Sequence, residues 1–144
     1  MEASSHSTLR VTGLDSLGEL TKLTTLAIMD MGISDISFIK NMKYLKDVDL
    51  SENQLTDISE LSGNLSIEIL TLSFCNLTDI SPLGEVSNLR NVILTRNHIK
   101  DFSPLRKLQN LKFIYAKNNG LSPQEIKKWE SEFSHMDEVE FWDS

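Results

Sequence analysis

The feature that most constrains this chain is an internal repeat with a period of 22 residues. When the sequence is written in rows of 22 that begin at residues 23, 45, 67, 89 and 111, every row starts with Leu or Ile, and no insertion is needed. Three further columns of every row are also apolar. A unit this short cannot bury its own apolar side, so neighbouring rows must stack to form one continuous core.

Each row has two halves of different character. The first half follows the pattern LxxLxLxxNxL, whose alternation of apolar and polar residues is typical of a strand with one buried face. The second half is too short for a long helix. We predict brief helical turns there, with Ser81 and Ser103 as caps ahead of Pro82 and Pro104. Strands that return to one sheet after 22 residues must pair in parallel.

The sequence therefore predicts an α/β solenoid, with a curved parallel β-sheet on its concave face and short turns or 3-10 segments on its convex face. Residues 1–8 are polar and are predicted to be a disordered segment. Residues 9–22 match only the second half of a row. The array is therefore expected to begin inside a repeat, either because a longer parent protein continues upstream or because another segment covers the open edge.

The repeat array is predicted to span residues 9–121, and residues 122–144 are predicted to close it. Ser122 occupies a helix N-cap position, and Glu125 stands where a capping box requires an acidic residue. The later sequence EVEFW alternates acidic and apolar residues, as a last edge strand would. We predict a C-terminal capping helix followed by an edge strand.

These rows resemble the leucine-rich repeat family. Their 22-residue length, with DIS and PL in the second half, resembles the subclass found in bacterial internalins and in a regulatory subunit of protein phosphatase type 1. The resemblance implies a non-enzymatic scaffold that binds another protein. A role like that of the internalins implies a bacterial surface or secreted domain, whereas a role like that of the phosphatase subunit implies a cytosolic regulatory scaffold. The compartment stays open between these two.

Composition excludes several function classes. Lys and Arg total 14 against 21 for Asp and Glu, which gives a net charge of −7, so phosphate backbones and anionic membranes repel the chain. No apolar run approaches the roughly 20 residues that cross a bilayer. We therefore predict neither a nucleic-acid partner nor membrane insertion.

The only cysteine, Cys75, lies in a column of the repeat that is otherwise rich in asparagine. The ninth position of the rows contains Met31, Asn53, Cys75, Asn97 and Asn119. In leucine-rich repeats this column turns inward and hydrogen bonds to backbone groups that the turn leaves unpaired. We predict that Asn53, Cys75, Asn97 and Asn119 form a structural ladder. The alternative is an enzyme that uses Cys75, but His98 lies one column away and the sequence indicates no oxyanion donor.

A second polar column is acidic. It comprises Asp35, Asp57, Asp79 and Asp101, each two residues before a serine. A short acceptor at such a turn caps local backbone donors, and this interpretation is favoured over calcium, which needs six or more oxygens from a dedicated loop. Neither a zinc-ligand cluster nor a glycine-rich phosphate loop is present, so we predict no metal and no cofactor.

The rows differ most where side chains point out of the predicted concave face. With rows set about 4.8 Å apart, two groups emerge. The apolar group comprises Ile69, Phe74, Ile93, Phe113 and Tyr115, and the acidic group comprises Asp30, Asp47, Asp49 and Glu52. We predict that the apolar group anchors a protein partner and that the acidic group selects a basic one. The alternative is that these residues occur here only because sheets favour them for packing. The chain would then be a purely structural spacer.

Overall fold

The computed structural model describes residues 14–144. The predictions for residues 1–8, and for the start of the half repeat at residues 9–22, fall outside the described residues. The described chain contains one sheet of six strands in the order β1-β2-β3-β4-β5-β6, and every neighbouring pair is parallel. The strands are β1 (Thr25–Ala27), β2 (Asp47–Asp49), β3 (Ile69–Thr71), β4 (Asn91–Ile93), β5 (Phe113–Tyr115) and β6 (Glu138–Glu140).

The register of the sheet follows the sequence period. Leu26 lies opposite Val48, and Leu70 lies opposite Val92, so residues of one column face each other across each strand pair. The middle residue of β2 through β5 is fully buried, while its two neighbours are half-buried. One face of the sheet therefore covers the core and the other is available to solvent.

Short helices return the chain from one strand to the next. Residues 14–144 contain five 3-10 helices: Leu14–Glu19 precedes β1, and the other four lie between successive strands, at Ser37–Asn41, Ser59–Leu61, Ser81–Glu85 and Ser103–Lys107. One α-helix, α1, spans Pro123–Glu132 and precedes β6. The solenoid predicted from the sequence, with its closing helix and strand, is confirmed.

The prediction that Ser81 and Ser103 cap the return segments is wrong. Each serine is the first residue of its 3-10 helix, and neither side chain caps it. Instead, Asp79 accepts hydrogen bonds from the backbone N–H of Ser81 (2.8 Å) and from its hydroxyl (3.0 Å), and Asp101 binds Ser103 in the same way. A carboxylate two residues upstream reaches both donors at once, so the aspartate closes the turn.

The aspartate column is held by the same bond in the earlier rows. Asp35 and Asp57 accept the backbone N–H of Ser37 and Ser59, each at 2.8 Å. These backbone hydrogen bonds, with a smaller contribution from the serine hydroxyls, lower the pKa of Asp35, Asp57 and Asp101 below the usual value. The capping interpretation therefore accounts for the column without an ion.

The C-terminal cap closes the core with aromatic side chains. Phe102 of the last return segment makes edge-to-face contacts with Trp129 of α1 and with Phe141, at centroid distances of 5.7 and 4.9 Å. The helix begins with the predicted capping box, because the Ser122 N–H donates to Glu125 (2.7 Å) and the Glu125 N–H donates to Ser122 Oγ (3.3 Å). The last row therefore ends against a cap with its own packed interior.

Charge is segregated along the solenoid. Residues 23–88 contain three basic and ten acidic residues, residues 89–121 contain seven basic and one acidic, and residues 122–144 contain two basic and seven acidic. Ion pairs join the basic rows to the acidic segments on either side. They are Arg90–Glu68 (3.7 Å), Lys107–Glu85 (3.2 Å), Arg106–Glu132 (2.7 Å), Lys112–Asp137 (3.7 Å) and Lys117–Glu140 (2.5 Å).

Candidate functional site

The concave face presents most of the predicted apolar group on three adjacent strands. Ile93 on β4 lies directly opposite Tyr115 on β5, and Phe113 is two residues before Tyr115 on the same strand. Ile69 on β3 lies opposite Asn91, diagonal to Ile93. All four side chains are half-buried, so they form a fixed surface that retains exposed apolar area.

The predicted acidic group lies beside this surface, toward β1. Asp47 and Asp49 project from β2, whereas Asp30 and Glu52 follow the ends of β1 and β2. Asp49 accepts the backbone N–H of Ser51 at 2.9 Å. Among residues 14–144, none of the ion pairs involves these four carboxylates. Their negative charge is therefore uncompensated within the described chain.

Phe74 does not join the other four apolar residues. It lies beyond the end of β3, where its backbone has a φ of 56° and its side chain is 45% exposed. The guanidinium carbon of Arg96 lies 4.8 Å from the centre of its ring. The predicted apolar group is thus divided into a sheet part and a separate Phe74–Arg96 pair, and Arg96 was not among the predicted site residues.

Sequence reasoning also missed the acidic residues that border the apolar group on its other side. Glu138 and Glu140 lie opposite Phe113 and Tyr115, which places them on the concave face. The Tyr115 hydroxyl donates to Glu138 (3.0 Å), and this bond raises the pKa of Tyr115. Glu140 pairs with Lys117, so this border is partly neutralised, unlike the acidic group near β2. The alternation of acidic and apolar residues in EVEFW was the sequence signal that could have placed Glu138 and Glu140 on this face.

The asparagine column forms a ladder of buried hydrogen bonds. Asn97 Nδ2 donates to the carbonyls of Leu72 (2.8 Å) and Leu94 (3.0 Å), while its Oδ1 accepts the N–H groups of Cys75 and Leu77, both at 3.0 Å. Asn53 and Asn119 make equivalent bonds between their own rows. Met31 occupies the same column but is 45% exposed, and its thioether has no hydrogen to donate to the ladder.

Cys75 takes the place of an asparagine in this ladder. Its thiol donates to the carbonyls of Leu50 (3.3 Å) and Ser73 (3.4 Å), and the residue is fully buried. Burial raises the pKa of Cys75 to about 11. The neighbouring-column residue His98 is exposed to solvent. A buried thiol that remains protonated at neutral pH lacks the exposed, electropositive surroundings that a nucleophilic cysteine requires.

We expect Cys75 to resist iodoacetamide in the folded chain at neutral pH. A pKa of about 11 instead of 9.0 reduces the thiolate fraction about 100-fold, and burial blocks access as well. Intact-mass spectrometry of samples quenched over time would measure the rate, with the chain in concentrated guanidinium chloride as the fully reactive control. Equal rates in the folded and unfolded samples would restore Cys75 as a candidate nucleophile.

Within residues 14–144, no group of three or more His, Cys, Asp or Glu is arranged to hold a metal ion. No helix of the same range has both the length and the apolar character needed to span a bilayer.

Known proteins share this architecture. Internalin C2 of Listeria monocytogenes is 25% identical and superposes with a TM-score of 0.78, over 91% of this chain and 57% of that one. An internalin F of the same species is 22% identical, with a TM-score of 0.64 over 94% and 46% of the two chains. A leucine-rich repeat protein of Leptospira interrogans is 18% identical, with a TM-score of 0.76 over 92% and 40%.

The chain spans about half the length of these solved proteins. No protein-family model matches the sequence, and no curated protein matches it. The similarity therefore rests on structure, and the parallel sheet, the short 3-10 helices and the C-terminal helix of this chain fit a leucine-rich repeat solenoid. The chain is a leucine-rich repeat solenoid of internalin-like character.

Proposed function

We propose that this chain is a non-enzymatic recognition module that binds a protein partner on its concave face. The observation that carries the proposal is the half-exposed apolar surface of Ile69, Ile93, Phe113 and Tyr115 next to carboxylates that have no ion pair in the described chain. Clustered apolar side chains on a rigid surface are typical of interfaces, and aromatic residues commonly dominate their binding energy.

The two groups have different tasks in this proposal. Phe113 and Tyr115 lose their remaining water contact when the partner covers them, and this burial contributes most of the affinity. Asp47, Asp49 and Glu52 attract a basic surface, which raises the association rate and rejects acidic competitors. The partner is therefore a protein that presents Lys or Arg beside an apolar patch.

The similarity to internalins supports a bacterial surface or secreted domain as the setting for this activity. A catalytic role for Cys75 has no comparable support, because the thiol is buried, protonated and engaged with backbone carbonyls. In this proposal the exposed face of the sheet binds the partner, and Cys75 has only a structural role.

We expect Phe113→Ala and Tyr115→Ala each to weaken partner binding at least about tenfold, equivalent to about 1.4 kcal/mol. Partners captured from bacterial lysate or from host-cell surfaces would be identified by mass spectrometry, and binding would then be titrated with the purified partner. Both substitutions replace half-buried side chains, so circular dichroism melting would verify that each variant remains folded.

Lys127→Ala and Glu130→Ala are the matched controls, since both side chains are exposed on α1 and belong to no strand of the sheet. They should bind the partner as the original chain does. If the concave variants retain full binding while they remain folded, or if the α1 variants lose as much, the concave face is not the binding surface.

A further inference from the structure

A line of residues, here called the rim, follows the carboxyl ends of the strands; four are exposed and the fifth, Asn118, is half-buried. The rim consists of Asp30, Glu52, Phe74, Arg96 and Asn118, one residue from each row. Their φ angles are 52°, 60°, 56°, 56° and 57°, so all five have a left-handed backbone conformation. At each of these positions the chain turns from the strand toward the buried asparagine column.

Hydrogen bonds hold the rim in register from row to row. The backbone N–H of Glu52 donates to the Ser73 carbonyl at 2.8 Å, and the N–H of Phe74 donates to the Thr95 carbonyl at 3.0 Å. Asp30 and Arg96 donate in the same way to their next rows, and Asn118 donates to the Trp142 carbonyl after β6. The rim side chains are therefore displayed on a fixed line at the strand spacing of about 4.8 Å.

Three of the five rim residues, Glu52, Phe74 and Arg96, are poorly suited to this backbone conformation, whereas Asp30 and Asn118 adopt it more easily. A left-handed conformation costs a residue with a side chain roughly 1–2 kcal/mol, and glycine or asparagine adopts it more easily. Two positions further along the rows, the chain meets the same need with Gly32, Asn76 and Gly120. At the rim it uses Glu, Phe and Arg, and no glycine. Strained residues with exposed side chains cluster at functional sites, where the side chain is needed for recognition.

The rim also carries an ordered pattern of charge. Asp30 and Glu52 are negative, Phe74 is apolar and Arg96 is positive, in the order of the rows. None of these three charged residues takes part in an ion pair of the described chain, and Arg96 is engaged only by the ring of Phe74 at 4.8 Å. A guanidinium stacked on a ring keeps its N–H donors free to bind a carboxylate.

We propose that the rim recognises an extended segment of the partner that presents a basic residue, an apolar residue and an acidic residue in that order. This proposal rests on the concave-face function and specifies the order of residue types that the partner presents. Glu52 and Arg96 are two rows apart, about 10 Å, and Asp30 and Arg96 are three rows apart, about 14 Å. At about 3.3 Å per extended residue, the basic and acidic residues of the segment are three or four positions apart.

The probe that tests the rim is a phage-displayed library of random peptides about twelve residues long, selected separately against the full chain and against Arg96→Glu. The original chain should enrich peptides with an acidic residue three or four positions from a basic one. The Arg96→Glu variant should enrich a basic residue in place of the acidic one. A synthetic peptide from the first selection should bind Arg96→Glu at least about tenfold more weakly.

Phe74→Asn supplies a second readout. It should weaken the same peptide at least about fivefold, while the melting temperature stays equal or rises because asparagine tolerates the left-handed backbone. Enriched peptides whose binding does not depend on Arg96 or Phe74 would overturn the rim proposal, as would a selection that yields no Arg96-dependent peptide. If these peptides nevertheless lose binding to Tyr115→Ala, the concave-face function survives. If the binding of these peptides is unchanged by both the rim variants and the sheet variants, the concave-face function fails as well.

Discussion

Replacing Asn97 with alanine is expected to lower the free energy of unfolding by about 3–5 kcal/mol. The substitution removes the partners of two buried N–H groups, on Cys75 and Leu77, and of two carbonyls, on Leu72 and Leu94. Each group left unsatisfied in the core costs about 1–3 kcal/mol, and partial relaxation keeps the total below a simple sum. Urea denaturation followed by circular dichroism would measure the change.

Asn91→Ala is the matched control, because Asn91 is the same residue type on the half-exposed face of β4 in the same row. The free energy of unfolding of this variant should lie within about 0.5 kcal/mol of that of the original chain. If the two alanine variants differ by less than about 1 kcal/mol, the buried ladder contributes little to holding the rows together, and hydrophobic burial alone maintains the stack.

Trp129→Ala is the second substitution with a large expected effect, a loss of about 3–5 kcal/mol. The indole is almost fully buried, packs edge-to-face against Phe102 at 5.7 Å and stacks on Phe133 at 6.1 Å. Its removal opens a cavity between α1 and the last return segment. The aromatic cap then no longer fits the end of the core, and guanidinium denaturation should show a lower midpoint.

Trp129→Phe separates packing from polarity at the same site. The indole Nε1 is buried without a hydrogen-bond partner among the described residues, which is a cost that phenylalanine removes while it keeps one ring. This variant should lose less than about 1.5 kcal/mol. Equal losses for the alanine and phenylalanine variants would mean that one ring does not restore the packing and that the site requires the whole indole.

The sequence predicts the fold well because one physical constraint acts on every row. Columns such as Leu26 and Val48 must face one core, and any slip in register would expose all of them. The capping box of Ser122 and Glu125 joins residues only three positions apart, and it was also predicted from the sequence. Periodicity and short-range hydrogen bonding therefore determine the architecture.

Parts of the candidate surface could not be read in the same way. The period assigns Phe74 and Arg96 to one column, but the left-handed backbone that moves this column off the sheet depends on the turn that follows the strand. Glu138 lies opposite Phe113 in the sheet, but α1 lies between the two residues in the sequence. This helix interrupts the 22-residue period, so the period does not assign Glu138 to a column. The same limit explains the wrong prediction for Ser81, because Asp79 and Ser81, two residues apart, can each cap the turn and only the geometry decides between them.

The constant offset between neighbouring strands has a consequence for the folding pathway. Each of the pairings from β1 to β5 closes a loop of one repeat, 22 residues, so the entropic cost of adding a row is nearly the same at every step. Each of these pairings joins neighbouring rows, so the sheet can grow by the addition of one row at a time. We expect nucleation where the aromatic side chains pack together, at Phe102, Trp129 and Phe141, with rows propagating from there as in a one-dimensional zipper.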